Sequence, residues 1–208
     1  MYTIIDPASW ERKDIFDFFS QVSDPFYSVT FPLDVTELHR YVKERGLSFY
    51  YALVYLCTEA MDQVEAFRYA LDGGRLVLLD RRSPSFTDLK PGARKFHIVT
   101  MPRGDDLDAF CRAAQARSLA QTTFLQQSSE TGDLIYFSCL PWMDITALTN
   151  ERDFDPDDSV PRVAWGRYIE TQGRLQLHLS LEVNHRFIDG LHIGEFFQGL
   201  SSRIAALG

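Results

Sequence analysis

The chain has 208 residues, 45% hydrophobic and 24% charged, the composition of a folded globular protein long enough to fill one core. A formal net charge of -8 argues against a nucleic-acid surface, which needs a basic face; a local basic patch for a phosphorylated cofactor stays open. The N-terminus MYTIIDPASW lacks the basic and apolar regions of a leader, and no apolar run is long enough to span a bilayer. Cys57, Cys111 and Cys139 show no metal-ligand spacing, and their odd number favours free thiols in a reducing compartment. The expectation is a cytoplasmic protein with no membrane, nucleic-acid or metal partner.

Residues 2–5 read as a short strand. Pro7-Ala8-Ser9-Trp10 is a turn into a helix, with Trp10, Phe16 and Phe18 or Phe19 on its buried side. Arg12 and Lys13 read, from composition alone, as part of its solvated face. Phe26 to Val35 is β-branched and aromatic with partial alternation, a strand. Asp34-Val35-Thr36 opens a helix over about 36–45. Ser48 is placed to cap a second helix through FYYALVYLCTEAMDQ, which is apolar nearly all round and therefore buried. Phe67-Arg68-Tyr69 begins a short strand that turns at Asp72-Gly73-Gly74 and returns over Leu76 to Leu79.

Ser85-Phe86-Thr87 and Phe96 to Thr100 are further strands. A helix spans Asp105 to about Gln126, with Leu107, Phe110, Ala114, Arg117 and Leu119 near its core stripe. Residues 128–132 are a loop, and Leu134 to Cys139 is an apolar strand ending at Pro141-Trp142. The acidic segment 150–160 is an exposed loop whose carboxylates lack the spacing of a calcium site. Arg162 to Ile169 and Leu175 to Asn184 form a hairpin across residues 170–173. Leu191 to Leu207 is a closing helix with a stripe of Leu191, Phe196, Phe197, Leu200, Ile204 and Leu207. There are no repeats and no regular βα alternation, which favours an α+β fold, one domain over 1–208, with helices packed on one largely antiparallel sheet.

The stretch Leu175 to Gly190, LQLHLSLEVNHRFIDG, organises the rest. Leu175, Leu177, Leu179, Leu181 and Val183 fall on every second position, the period of a strand with one apolar face. His185 continues the apolar phase at the strand's end, and Asp189 follows four residues on. An inward histidine before a turn is more often a satisfied core residue than a catalyst; histidine is also the usual general base.

Other motifs tip that balance. His185-Arg-Phe-Ile-Asp189-Gly190 resembles the HxxxDG motif of acyl-CoA-dependent acyltransferases. Trp10-Glu-Arg12-Lys-Asp-Ile-Phe16 resembles the WxRxxxF of chloramphenicol acetyltransferases, Pro84-Ser-Phe-Thr87 their PxFT and Ser138-Cys-Leu-Pro141-Trp142 their SxLPW. Arg167-Tyr168 follows in the expected place. The matches run in order across almost the whole chain.

That resemblance implies an α+β acyltransferase fold and acetyl-CoA as co-substrate, without a metal. His185 would be the general base toward a small-molecule hydroxyl, Ser138 the oxyanion donor, and Asp189 would pair with Arg12. Trp142, Arg167 and Tyr168 would line the coenzyme A channel. Phe19, Tyr27, Phe96 and Phe124 would hold the acceptor. The family is a homotrimer with its site between subunits, and the same is expected here. The chain departs from the family at Phe19 and Tyr27, where the order of Tyr and Phe is exchanged, and at Asn150, Ala164 and Asn184. Two alternatives stay open: a dihydrolipoyl acyltransferase-like core, whose DHRxxDG resembles NHRFIDG, and a non-catalytic ligand-binding homologue.

Overall fold

The computed structural model describes residues 1–126, 128, 131–152 and 154–208. The expected loop at 128–132 lies partly outside the described residues, at Ser129 and Glu130, as does Asp153 of the acidic segment. The elements in order are β1 (Tyr2–Ile4), α1 (Lys13–Phe19), β2 (Phe26–Asp34), α2 (Thr36–Arg45), α3 (Phe49–Asp62), a 3-10 turn (Glu65–Arg68), β3 (Tyr69–Asp72), β4 (Arg75–Leu79), β5 (Ser83–Asp88), β6 (His97–Thr100), α4 (Leu107–Ala120), β7 (Leu134–Leu140), β8 (Arg162–Gly166), β9 (Ile169–Thr171), β10 (Arg174–Asn184) and α5 (Gly190–Ala205).

The main sheet runs β2-β10-β8-β7-β5-β6, with β9 also paired to β10. β8 on β7 and β7 on β5 are parallel; the other pairings are antiparallel. β1, β4 and β3 form a separate small antiparallel sheet. The α+β expectation therefore holds as a mixed sheet with helices on it, plus a second sheet that the sequence did not separate.

β10 sits inside the main sheet because its odd positions suit only a core. Leu177, Leu179, Leu181 and Val183 are fully buried. Full burial of such a side chain contributes about 1.5–3 kcal/mol. α2 packs on β10, and α3 lies in the same apolar core against β5 and β7, capped by Ser48, whose Oγ accepts from Tyr51 N. α3 also packs on α2, α4 and α5. The other face of β10 differs from the sequence reading. Ser180, Glu182 and Asn184 are buried too, since the segment after β7 folds over them. Ser180 Oγ donates to Leu148 O, Asn150 N donates to Glu182 Oε2, and Asn184 Nδ2 donates to Asp158 O. Arg152 reaches Asp158 at 3.2 Å and Glu182 at 3.5 Å, which balances the buried carboxylates.

Other expectations are corrected. Phe18 is exposed; Trp10, just before α1, is buried, and Phe16 and Phe19 are half-buried. Residues 65–68 form the 3-10 turn, so the strand begins only at Tyr69. α4 stops at Ala120, and its buried residues are Phe110, Cys111, Ala114 and Ser118, with Arg117 and Leu119 outside. In α5 Leu191 and Phe197 face out and Ile193 faces in. The hairpin expected over 162–184 is interrupted at Arg167 and Tyr168; β8 and β9 pair separately with β10.

Candidate active site

The residues expected at one site occupy three places. The first is the C-terminal end of β10. The His185 ring stacks on Phe19 with centroids 4.1 Å apart and planes 9° apart, and lies 4.5 Å from the Tyr27 ring. Its backbone N donates to Pro25 O at 2.8 Å. Its Nδ1 is buried and has no hydrogen-bond partner, so no carboxylate orients this imidazole as in a triad. Packing and backbone alone hold it among the described residues.

Behind the histidine, Arg12 Nη2 lies 3.0 Å from Asp189 Oδ2, both side chains being largely buried. The expected solvated face thus holds for Lys13, which pairs with Asp17, and fails for Arg12. Asp189 also caps α5: its Oδ1 accepts from Leu191 N at 3.0 Å. An extended residue accepting at this position is a standard helix start. Burial pushes the Asp189 carboxyl up, but His192, Arg12 and the Leu191 N–H outweigh it and hold the group below its ordinary value. Tyr27 O–H donates to Ile188 O at 3.3 Å, spanning the same turn. Burial and nearby Asp189 push that phenol up to about 12, so it stays a neutral donor.

The second place is the opposite edge of the sheet. Phe96 immediately precedes β6, and its ring meets Phe124 at 5.4 Å. Both residues are at least half exposed, at 50% and 57%. The third lies beyond the ends of β7 and β8. Trp142 is 68% exposed. Arg167 is exposed, and its backbone N donates to Met143 O at 2.7 Å. Tyr168 packs on His39 and Phe49, each with ring centroids 5.3 Å away. The two chain segments touch at Gly166, where a Cβ would come within 2.6 Å of Met143 O and 2.8 Å of Ile145 N. That close approach requires glycine.

Ser138 sits on β7 in a row that crosses the sheet as Thr30, Ser180, Ala164, Ser138. His185 lies five positions beyond Ser180 on the strand two away. At about 3.3 Å per residue and about 4.8 Å per strand, their backbones are roughly 19 Å apart. One chain therefore does not bring Ser138 to His185, nor Phe96 and Phe124 to Phe19 and Tyr27, which flank opposite edge strands.

Sequence reasoning missed three ionisable side chains. Arg82 is fully buried and donates to Phe67 O, Tyr69 O, Gly132 O, Leu134 O and Ser159 O. Nothing local marks it. Arg152 was lost in the acidic segment. His192, three residues after a capping aspartate, had a visible signal in that spacing. Among the described residues no His, Cys, Asp and Glu cluster is suited to a metal, and no helix is long and apolar enough to cross a membrane.

This sheet, with a histidine at the end of a central strand leading through Asp-Gly into a last helix, is an acyltransferase fold. Azotobacter vinelandii dihydrolipoamide acetyltransferase superposes with a TM-score of 0.68 at 19% identity, over 93% of this chain and 88% of that one, a likeness of fold alone. A solved chloramphenicol acetyltransferase superposes with a TM-score of 0.86 at 27% identity, over 97% and 99%. Chloramphenicol acetyltransferase 3 of Escherichia coli is 27% identical over 203 residues, 96% of this chain and 95% of that protein. Residues 1–201 match the chloramphenicol acetyltransferase family model, and the chain belongs to that family of acyltransferase enzymes.

Proposed function

We propose that this protein is a cytoplasmic, acetyl-CoA-dependent O-acetyltransferase acting on a hydroxyl of chloramphenicol or a related small molecule. Both substrates bind together and no acyl-enzyme forms. His185 takes the hydroxyl proton on Nε2, since Nδ1 is buried. The freed oxygen attacks the thioester carbonyl, and Ser138 donates a hydrogen bond to the resulting oxyanion. Collapse expels the CoA thiolate, which takes the proton back from the imidazolium. General-base help of this kind is worth typically ~10²–10⁴ in rate. Arg12 and Asp189 hold the turn that carries His185. Trp142 and Tyr168 offer aromatic faces to coenzyme A, and Arg167 a guanidinium to its phosphates; the acceptor lies between Phe19 and Tyr27 on one side and Phe96 and Phe124 on the other.

The observation that carries this reading is the caged His185 at one place and Ser138 roughly 19 Å away in the same chain. A site using both needs a second copy, with one copy's β2 edge facing the part of its neighbour that holds Ser138. Such head-to-tail contacts close into rings, and a homotrimer is the ring proposed. The test is release of free CoA thiol from acetyl-CoA with chloramphenicol, beside His185→Ala. Rapid release that vanishes in the variant supports base and acceptor together. Release with dihydrolipoamide but not chloramphenicol would move the assignment to the dihydrolipoyl transferases.

A further inference from the structure

The first turn of α5 carries a histidine that the mechanism above leaves without a part. His192 is largely buried, and its Nδ1 lies 3.1 Å from Asp189 N and 3.1 Å from Asp189 Oδ1. These neighbours ask opposite things of one nitrogen. The backbone N–H needs a lone pair there; the carboxylate would take a proton. Burial lowers the imidazole first, Asp189 and Glu195 of α5 oppose it, Arg12 lowers it further, and the net direction is down. Tyr27, across from Asp189 and Arg12, stays neutral. The ring is therefore neutral near pH 7, with its proton on Nε2 and its Nδ1 lone pair on the Asp189 N–H.

This closes both halves of a capping box. Asp189 is then fixed through three atoms: N by His192, Oδ1 by Leu191 N, and Oδ2 by Arg12. His185 stands four residues earlier on the same turn, and its Nδ1 has no bond of its own. The direction of its ring depends on how rigidly residues 185–189 are held.

We propose that His192 is a positioning residue: as a neutral imidazole it locks the capping box with Asp189 and so fixes the turn that aims His185. This rests on His185 being the base. Protonated His192 offers no lone pair, releases the Asp189 N–H, and competes with Leu191 N–H for Oδ1. The box opens and the turn loosens. Acidification thus weakens the site through His192.

The experiment compares wild type, His192→Ala, His192→Gln and His185→Ala in CoA-thiol release with chloramphenicol, alongside ¹⁵N-histidine NMR of the full-length protein. His192→Ala is expected to lower kcat about tenfold, the size of one lost hydrogen bond, with both KM values within about twofold. His192→Gln is expected to recover to within about threefold, because Gln at this position closes a capping box without titrating. Wild type is expected to lose up to about tenfold more kcat/KM than His192→Gln as the pH falls through the range where His192 protonates. NMR is expected to find the Nε2–H tautomer at neutral pH and protonation below the ordinary 6.5. An Nδ1–H tautomer overturns the proposal whether or not turnover is seen. So does a His192→Ala kcat within twofold of wild type while His185→Ala is inactive. If His185→Ala itself turns over normally, the base assignment fails and the NMR result still decides the capping bond.

Discussion

Replacing Asp189 separates the two things its side chain does. The Arg12 side chain is 14% exposed and that of Asp189 29%. Removing one member of a fully buried ion pair costs about 3–5 kcal/mol. Water screens the exposed part of Asp189, so loss of this pair is expected near ~2 kcal/mol. Asp189→Asn loses the charge but keeps an oxygen that can accept from Leu191 N. Asp189→Ala loses that cap as well, about 1 kcal/mol more. For a chain of this length each kcal/mol moves Tm by roughly 2–4 °C. The expected drops are about 4–8 °C for Asn and about 6–12 °C for Ala. The assay is thermal unfolding by circular dichroism at one fixed protein concentration, since an oligomer's Tm depends on it.

The pH dependence has a definite sign. The Asp189 carboxyl titrates below its ordinary 3.8 in the folded protein. Its ionised form stabilises the fold fully above pH 3.8, and this is lost as pH falls through the folded value. The Tm gap between wild type and Asp189→Asn should therefore be steady at neutral pH and shrink below about pH 4. An Asn variant within 1 °C of wild type at pH 7, or a gap that widens in acid, would show that the Arg12–Asp189 pair does not stabilise the fold.

Three other perturbations follow from particular contacts. Arg82→Leu strands five carbonyls that one guanidinium now satisfies, at about 1–3 kcal/mol each, so soluble folded protein should not be recovered; a soluble variant with a cooperative melt within 5 °C of wild type contradicts this. Gly166→Ala drives a Cβ into the backbone at Met143 and Ile145. It should cost about 1–3 kcal/mol and weaken acetyl-CoA binding by displacing Trp142; calorimetry giving an unchanged Kd would separate the loop from the coenzyme. Ser138→Ala should lower kcat by ~10²–10³ with little change in Tm, read by thiol release; a kcat within threefold of wild type removes Ser138 as oxyanion donor.

Much of this could be read from residue order. The leucines at 177, 179 and 181 announce β10 because a strand's period is visible in its own sequence. Ser48 and the apolar run after it give α3 by the same local logic. What could not be read was set by distant segments. The alternation of β10 marked Ser180, Glu182 and Asn184 as outward; Leu148, Asn150, Arg152 and Asp158 bury them from a segment 26–32 residues away. Leu119 looked like core because the α4 pattern seemed to continue; the helix ends at Ala120, so Leu119 lies in its last turn and points out. At the site, motif spacing picked out His185, Asp189 and Arg12, yet no spacing says that Ser138 lies two strands over and five residues back. That separation is a property of the sheet, and the proposed use of both residues is what calls for a boundary between chains.

The most direct measurement is therefore complementation between two defective chains. His185→Ala and Ser138→Ala are co-expressed in equal amounts, all oligomers are purified together without sorting by composition, and CoA-thiol release is compared with each parent. In a ring with shared sites, about a quarter of the sites join an intact His185 from one copy to an intact Ser138 from its neighbour. Roughly a quarter of the wild-type rate is expected from two nearly inactive parents. A preparation no faster than the sum of its parents would place both residues' work within a single chain and contradict the shared site.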